Sequence, residues 1–305
     1  MPSYIINRPE CCDALDVGNI YGGGKDAEMT GGAEIILGCM PNDWIEEIYA
    51  GAQNADVGSD VSLTITSGKF GRVFGGNKTS GRLHGSIVVN IEENPECTTP
   101  IIIGELYAGG NKAPYSIYGY KDEKDANDKW IPRQKSDYDA MSDSEKEAEG
   151  IGSAPHNGPM LNVRAFTSIG NIFGGGYGES AVMVGSPVVN INVVEGGRAY
   201  AGETKILEDG VQVTLQPRAA DSKMGVIGTV FGGGNAAKVI GDTHVNIGTT
   251  ATETFVSVND DPTTTEVNEK VKTVVGADIK GNVYGGGNNA EVTGDTDVVI
   301  GKKED

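Results

Sequence analysis

Short stretches in which apolar and polar residues alternate recur along the chain, bounded by glycine, asparagine and aspartate. The clearest copies are GNIYGGGKDAEMTGGAEIILG from Gly18, GTVFGGGNAAKVIGDTHVNIG from Gly228 and GNVYGGGNNAEVTGDTDVVIG from Gly281. Alternation with a period of two residues is typical of β-strands, whose successive side chains point to opposite faces. Each copy of 21 residues contains three such stretches and therefore predicts three short strands separated by turns.

Seven copies are found when the units are aligned on the aromatic residue that precedes the glycines. The aromatic positions are Tyr21, Tyr49, Phe74, Tyr107, Phe173, Phe231 and Tyr284. One unit is too small to bury its own apolar face, whereas stacked units bury a continuous one, with successive strands about 4.8 Å apart. The pattern predicts an all-β fold, namely a parallel β-helix (a β-solenoid) of about seven coils.

The spacing of the copies predicts insertions. The aromatic positions are 28, 25, 33, 66, 58 and 53 residues apart, so the first coils are tight and the later ones carry extra segments. We interpret residues 1–305 as a single β-helix domain with a polar arm at 119–159 and hairpin-like arms at 195–226 and 250–279. Leu161–Val163 then supplies the last strand of the fourth coil.

The arms contain local signals of their own. Ser142–Glu145 resembles a helix capping box, Asp209–Gly210 suggests a hairpin turn, and a second turn is expected at Asp260–Thr264. Several apolar positions in the two hairpin-like arms need a surface to pack on, and we expect them to cover part of the aromatic column. These positions are Val211, Val213, Leu215, Phe255 and Val256.

Alternation places the aromatic residues on the face opposite the core. Ile20 points inward, so Asn19 and Tyr21 point outward. The column that begins with Asn19 reads Asn, Glu, Arg, Glu, Asn, Thr and Asn, which predicts a solvent-facing column. The seven aromatic residues are thus candidate binding residues, as a glycan platform or as a contact surface for an arm; alternatively, they stack on one another and protect the sheet. The glycine that follows, Gly23 in the first copy, would let the ring lie flat over it.

A second column consists of asparagine residues in the last strand of four successive units: Asn90, Asn162, Asn190 and Asn246. Stacked asparagines can join their side-chain amides along the axis, so we expect a structural amide ladder.

Candidate chemistry is sparse. A phosphate-binding loop would need a Lys-Ser/Thr after the glycines, and a dinucleotide-binding loop would need a single strand-to-helix turn; the glycines here recur seven times with β patterning on both sides, which argues against a nucleotide site. The best catalytic candidates are His244 and Asp297, predicted to share an outward column on neighbouring coils beside Lys238 and Glu291; this pair could do acid–base work or be a simple surface pair. No nucleophile motif accompanies it, so we expect no enzyme, the alternative being a polysaccharide lyase or glycoside hydrolase.

Charge and cysteine content narrow the partners further. The net charge of −19 argues against nucleic acid and anionic membranes as binding partners. The sequence contains no run of 18 apolar residues, so we expect no membrane insertion. The four cysteines, Cys11, Cys12, Cys39 and Cys97, match no metal spacing. Cys39 could pair with Cys11 or Cys12, or all could be free buried thiols. The calcium-binding nonapeptide repeat is missing as well, so we expect no metal and no cofactor.

The repeated motif resembles the glycine-rich repeats of large bacterial cell-surface proteins, which are right-handed parallel β-helices with adhesin-like roles. The resemblance covers Gly18–Gly104 and the motif cores around 170–193, 228–248 and 281–301, but not the arms. It implies a segment of a larger extracellular or cell-surface protein, although the first residues contain no signal-peptide core. The partners it implies are glycans, host or neighbouring-cell surface proteins, and adjacent repeat domains of the same chain.

Overall fold

The computed structural model describes residues 17–151, 154–194, 196–250 and 276–301 in full, and the backbone alone of Ser3–Ile6, Glu253–Ser257 and Asn268–Lys272. The described chain is nearly all β, and its large sheets are parallel, which confirms the predicted all-β class. Three predictions lie outside these residues: the states of Cys11 and Cys12, the turn at Asp260–Thr264, and the packing of the Phe255 and Val256 side chains.

Two parallel sheets of eight strands contain most of the strand residues. The sheet that carries the aromatic residues, the aromatic sheet, consists of Asn19–Tyr21, Trp44–Tyr49, Gly68–Phe74, Ile101–Tyr107, Ser168–Phe173 and Val226–Phe231, followed by Asp278–Ile279 and Val283–Tyr284, which both pair with Val226–Phe231. The second, the asparagine sheet, consists of Ser3–Ile6, Ala33–Leu37, Val61–Ile65, Ile87–Glu92, Met160–Ala165, Val188–Ile191, Thr243–Ile247 and Thr296–Ile300. The chain alternates between the two sheets, so each unit adds one strand to each.

A third, smaller parallel sheet joins three short strands: Tyr115–Ser116, Met183–Val184 and Val239–Ile240. One apolar cluster collects inward-facing side chains from all three sheets, including Ile48, Val89 and Met183. Burial of each such side chain stabilises the fold by about 1.5–3 kcal/mol, so the alternating pattern of the sequence becomes the core. Leu161 pairs with Val89 and with Val189, which confirms that Leu161–Val163 supplies the strand missing from the fourth unit.

The inserted segments form antiparallel hairpins and two short helices. The hairpins are Tyr120–Lys124 with Trp130–Pro132, Glu203–Ile206 with Gln212–Leu215, and Glu253–Ser257 with Asn268–Lys272. The helices are Lys135–Asp139 and Asp143–Ala148. Ser142 caps the second helix in a capping box with Glu145, as predicted, and Gly210, at a φ of 84°, lies in the turn of the second hairpin.

The glycines after each aromatic residue have a different role from the predicted one. A Cβ atom at Gly175 would lie 2.6 Å from the backbone nitrogen of Gly234, and one at Gly76 would lie 2.7 Å from that of Gly110. The space is therefore needed by the backbone of the next unit and not by a ring lying over the glycine. Glycine recurs because neighbouring units approach too closely at this corner for any side chain.

A disulfide joins Cys39 to Cys97. Neither predicted alternative holds for these two residues, since Cys39 does not pair with Cys11 or Cys12 and Cys97 is not a free thiol. Cys39 precedes the strand Trp44–Tyr49, and Cys97 precedes Ile101–Tyr107, two strands away in the aromatic sheet. The bond thus ties together the connections at one corner of the stack.

Candidate functional site

The seven aromatic side chains form one continuous stack. Parallel pairing in register sets Tyr49 beside Phe74, Phe74 beside Tyr107, and Tyr107 beside Phe173. Successive ring centroids are 4.7–5.2 Å apart, and adjacent ring planes differ by at most 12°. This confirms the prediction of a single aromatic column.

The stack lies on the outer face of the sheet, yet its centre is buried. The rings form an apolar cluster separate from the core, as the alternation predicted. However, the four central rings, Tyr49, Phe74, Tyr107 and Phe173, are at most 1% exposed. Each of these rings is covered on both faces by its neighbours, so a sugar has no face to stack on there, which corrects the glycan-platform interpretation at these positions. Of the remaining rings, Tyr21 and Phe231 are partly buried and Tyr284 is 45% exposed.

Three residues of the polar column beside the rings are buried, contrary to the prediction of a solvent-facing column, whereas Asn19, Asn171 and Thr229 are half-buried and Asn282 is exposed. Glu47, Arg72 and Glu105 are all at most 5% exposed. The Nη2 atom of Arg72 lies 2.5 Å from Oε1 of Glu47 and 2.6 Å from Oδ2 of Asp209, and Nζ of Lys78 lies 2.6 Å from Oε2 of Glu47. Charges buried in this way are tolerated because each has a partner of opposite sign or a hydrogen bond.

The second hairpin explains this burial. Leu207 and Val213 of the hairpin are at most 3% exposed, and they pack on glycine positions of the aromatic sheet. A Cβ atom at Gly71 would lie 2.7 Å from Cδ2 of Leu207, and one at Gly104 would lie 2.8 Å from Cγ2 of Val213. The hairpin therefore packs on the outer face next to the column, and Val213 has a packing surface there, as expected; cover of the aromatic rings themselves stays a prediction. Leu215 is buried too, and Val211 is half-buried.

Tyrosine hydroxyls connect the stack to the polar column. Tyr49 donates to Oε2 of Glu47 at 2.8 Å, and Tyr107 donates to Oε2 of Glu105 at 2.8 Å. Burial, together with the adjacent carboxylates, raises the pKa of both phenols, and burial raises the pKa of Glu105. Burial opposes the charge of Arg72, but Glu47 and Asp209 offset this and raise its pKa. The phenols therefore remain neutral and donate hydrogen bonds to the carboxylates beside them.

A further column borders the stack and was missed from the sequence. Asn111, Tyr177, Asn235 and Asn288 pair in turn through single parallel bridges. The side-chain amide of Asn111 donates to the hydroxyl of Tyr49, and that of Asn235 donates to the hydroxyl of Tyr107. Their shared spacing, four residues after each aromatic residue, was the available signal.

The asparagine ladder is present as predicted. The Nδ2 atoms of Asn162, Asn190 and Asn246 each donate to Oδ1 of the preceding asparagine at 3.0 Å, starting from Asn90. Because the amides satisfy one another along the axis, the ladder supports the sheet. A cavity of about 420 Å³ lies beside it, lined by Arg164 and Glu92 among others.

The two catalytic candidates are neighbours, as predicted from their column. His244 pairs with Asp297 across the sheet, and Nδ1 of His244 lies 3.8 Å from Oδ2 of Asp297. Their side chains are 37% and 61% exposed, and beside them Lys238 and Glu291 form an ion pair at 2.7 Å. Exposed pairs of this kind contribute about 0–1 kcal/mol to stability, and an acid–base role stays a prediction.

A large cleft lies away from both columns. It has a volume of about 880 Å³ and separates the hairpin around Trp130 from the loop at Gly178–Val182. Trp130, Pro114 and Ile240 line it together with polar side chains. The sequence predicted only a polar arm at 119–159; the available signal for the cleft was Trp130, a tryptophan between charged residues in this arm.

Comparison with known proteins adds no family assignment. A search of protein-family models, of curated proteins and of solved structures found no match to this chain. Within the described ranges, no three His, Cys, Asp or Glu side chains converge as a metal site. In the same part of the chain, no helix has the length and apolar character needed to cross a membrane.

Proposed function

We propose that the chain is a right-handed parallel β-helix that serves as a non-enzymatic adhesion or scaffolding module at a bacterial cell surface. The observation that carries the proposal is the aromatic stack. Its central rings, and the buried charged residues beside them, make their contacts within the protein and not with a ligand. Such internal contacts are expected in a rigid spacer. The right hand is supported by the rule that parallel strands in one sheet are joined by right-handed crossovers in about 98% of cases.

The disulfide supports an extracellular or cell-surface location. Bonds such as Cys39–Cys97 form and persist in oxidising compartments and are rare in the cytosol. The net charge supports the choice of partners, since a chain with a charge of −19 repels nucleic acid and anionic membranes. The partners that we propose are glycans, surface proteins and neighbouring repeat domains.

Exposed apolar side chains in the last unit support the proposal that the chain is part of a larger repeat protein. Val298 and Ile300 occupy core columns but are 39% and 70% exposed, whereas Val245 and Ile247, their partners in the previous unit, are at most 5% exposed. A further unit stacked on this face would bury them and pair the strand edge, which is otherwise prone to association.

The function can be tested with beads coated with the recombinant protein. We expect such beads to be retained on bacterial or host cells more than beads coated with an unrelated acidic protein of equal charge. Retention should survive extensive washing and should not release soluble sugar from the surface. Equal retention of the two kinds of bead would count against adhesion.

The alternative is a carbohydrate-binding or polysaccharide-degrading protein. The cleft at Trp130 favours binding, and the contact between His244 and Asp297 is the observation that favours degradation. An enzyme should release reducing ends from a polysaccharide and lose turnover, with binding retained, in His244→Ala. Release that is equal in the parent protein and the variant would remove His244 from the mechanism.

A further inference from the structure

The cleft at Trp130 has the construction of a ligand site. The hairpin Tyr120–Lys124 with Trp130–Pro132 forms one wall, and the loop at Gly178–Val182 forms the other. Trp130, Val182 and Ile240 supply apolar surface inside it. Its volume of about 880 Å³ falls within the range of about 300–1,000 Å³ that is usual for small-molecule sites.

The indole of Trp130 is held in place from outside the cleft. The guanidinium carbon of Arg82 lies 4.3 Å from the ring centroid, and Nζ of Lys124 lies 5.1 Å from it. Arg82 is itself fixed by Asp56, whose Oδ2 lies 2.7 Å from Nη2 of Arg82. Neither cation lines the cleft, so the surface of Trp130 that faces the cleft is free to contact a ligand. A ring fixed in this way loses little entropy on binding.

The polar groups at the rim point to a neutral ligand rich in hydroxyl groups. Lys112 and Lys129 are balanced by Asp125 and Glu179, and the amide of Asn127 offers both donors and an acceptor. Nζ of Lys129 is already bound to the carbonyl oxygen of Thr79, which weakens its attraction for a ligand anion. The charge of −19 on the whole chain further disfavours acidic polymers.

We propose that this cleft binds a short neutral oligosaccharide. The proposal rests on the adhesive function proposed above and names the ligand class for it. An apolar aromatic surface with polar groups beside it matches a sugar ring, which has apolar C–H faces and a polar edge. The central rings of the aromatic stack provide no such face because they are buried.

The test begins with a printed array of neutral and acidic oligosaccharides. The strongest neutral saccharide from the array is then titrated into Trp44→Phe, in which Trp130 is the single remaining tryptophan. We expect a change in tryptophan fluorescence that saturates with the ligand. In the Trp44→Phe background, Trp130→Phe should retain most of the affinity measured by calorimetry, whereas Trp130→Ala should lower it about tenfold or more.

Two further variants keep the result decisive. Asn127→Ala lies at an exposed turn and should weaken binding without unfolding the hairpin, in case Trp130→Ala disturbs the fold. Tyr284→Ala removes the most exposed ring of the aromatic stack and should leave the affinity unchanged. The proposal is overturned if no neutral saccharide binds, if acidic saccharides or a peptide bind in their place, or if affinity depends on Tyr284 and not on Trp130.

The bead assay separates this proposal from the adhesive function. If beads carrying Trp130→Ala are retained as well as the parent, adhesion stands and the cleft is not its site. If the titration shows saccharide binding at Trp130 while the beads are not retained on cells, the sugar site stands and adhesion fails.

Discussion

Arg72 and Asp209 lie 137 residues apart in the sequence, and their side chains form an ion pair with an Nη2–Oδ2 distance of 2.6 Å. Arg72 belongs to the buried column of the aromatic sheet, whereas Asp209 lies in the turn of an inserted hairpin. The pair ties the hairpin to the outer face of the sheet and helps to close the charged network next to the aromatic stack.

We expect Asp209→Asn to lower the free energy of unfolding by about 1–2 kcal/mol, because Arg72 loses one of its two anionic partners while Glu47 remains. The loss stays modest because Asp209 is partly exposed. Urea denaturation measures it. Glu208→Gln is the matched control, since the carboxylate of Glu208 forms no ion pair with any described residue, and it should change stability by less than about 0.5 kcal/mol. Equal losses in both variants would contradict this role of the pair.

The aromatic stack should stabilise the protein unevenly along its length. Phe74 is buried between Tyr49 and Tyr107, with both ring centroids at 4.8 Å, so Phe74→Ala should cost about 3–5 kcal/mol. Tyr284 ends the column and is 45% exposed, so Tyr284→Ala should cost only about 1 kcal/mol. Thermal and urea unfolding of the two variants provide the comparison, and similar losses would show that the stack is not the stabilising feature.

The glycine column should tolerate alanine only where the neighbouring unit leaves space. Gly175→Ala would place a Cβ atom 2.6 Å from the backbone nitrogen of Gly234, and we expect a loss of about 1–3 kcal/mol or failure to fold. Gly286 occupies the same position in the last unit, where a Cβ atom would meet nothing within 4 Å, so Gly286→Ala should be nearly neutral. The yield of folded protein and the unfolding midpoint test this difference, which a loss of equal size at Gly286 would refute.

The disulfide should be a measurable source of stability. Cys39 and Cys97 are 58 residues apart, and the loop-entropy relation gives about 4 kcal/mol for a loop of this length. Peptide mapping without reductant should recover the two cysteines in one linked species. Cys39→Ser with Cys97→Ser should lower the urea midpoint, and reductant should affect the parent protein but not the double variant. A linked peptide containing Cys39 and another cysteine would contradict the pairing.

Glu105 should make stability depend on pH above about 4.5, its ordinary pKa. Burial raises its pKa above the ordinary value of 4.5, so between the two values the folded state keeps a proton that the unfolded state has released. Stability should therefore fall as pH rises through this window. The side chain in Glu105→Gln does not titrate. The difference in unfolding free energy between this variant and the parent should therefore shift in favour of the variant as pH rises across the window. Parallel pH profiles for the two proteins would show that Glu105 has no such role.

Sequence alone determined which residues repeat and which of them share a column. A period of two residues is a local property of strands, so it was enough to place the seven aromatic residues in register, to align Asn90 with Asn162, and to bring His244 beside Asp297. The turn at Asp209–Gly210 and the cap at Ser142 were equally local, because they depend on the backbone preferences of a few adjacent residues.

Only the tertiary structure decided what lies on the outer face of the sheets. Glu47, Arg72 and Glu105 are polar, and the sequence predicted them to face solvent; they are buried because a hairpin from a distant part of the chain, at 203–215, packs on this face. The partner of Cys39, the close approach of Gly175 to Gly234, and the cleft beside Trp130 likewise depend on segments distant in the chain. Alternation determines which face a side chain takes, but its burial depends on long-range contacts that no local pattern encodes.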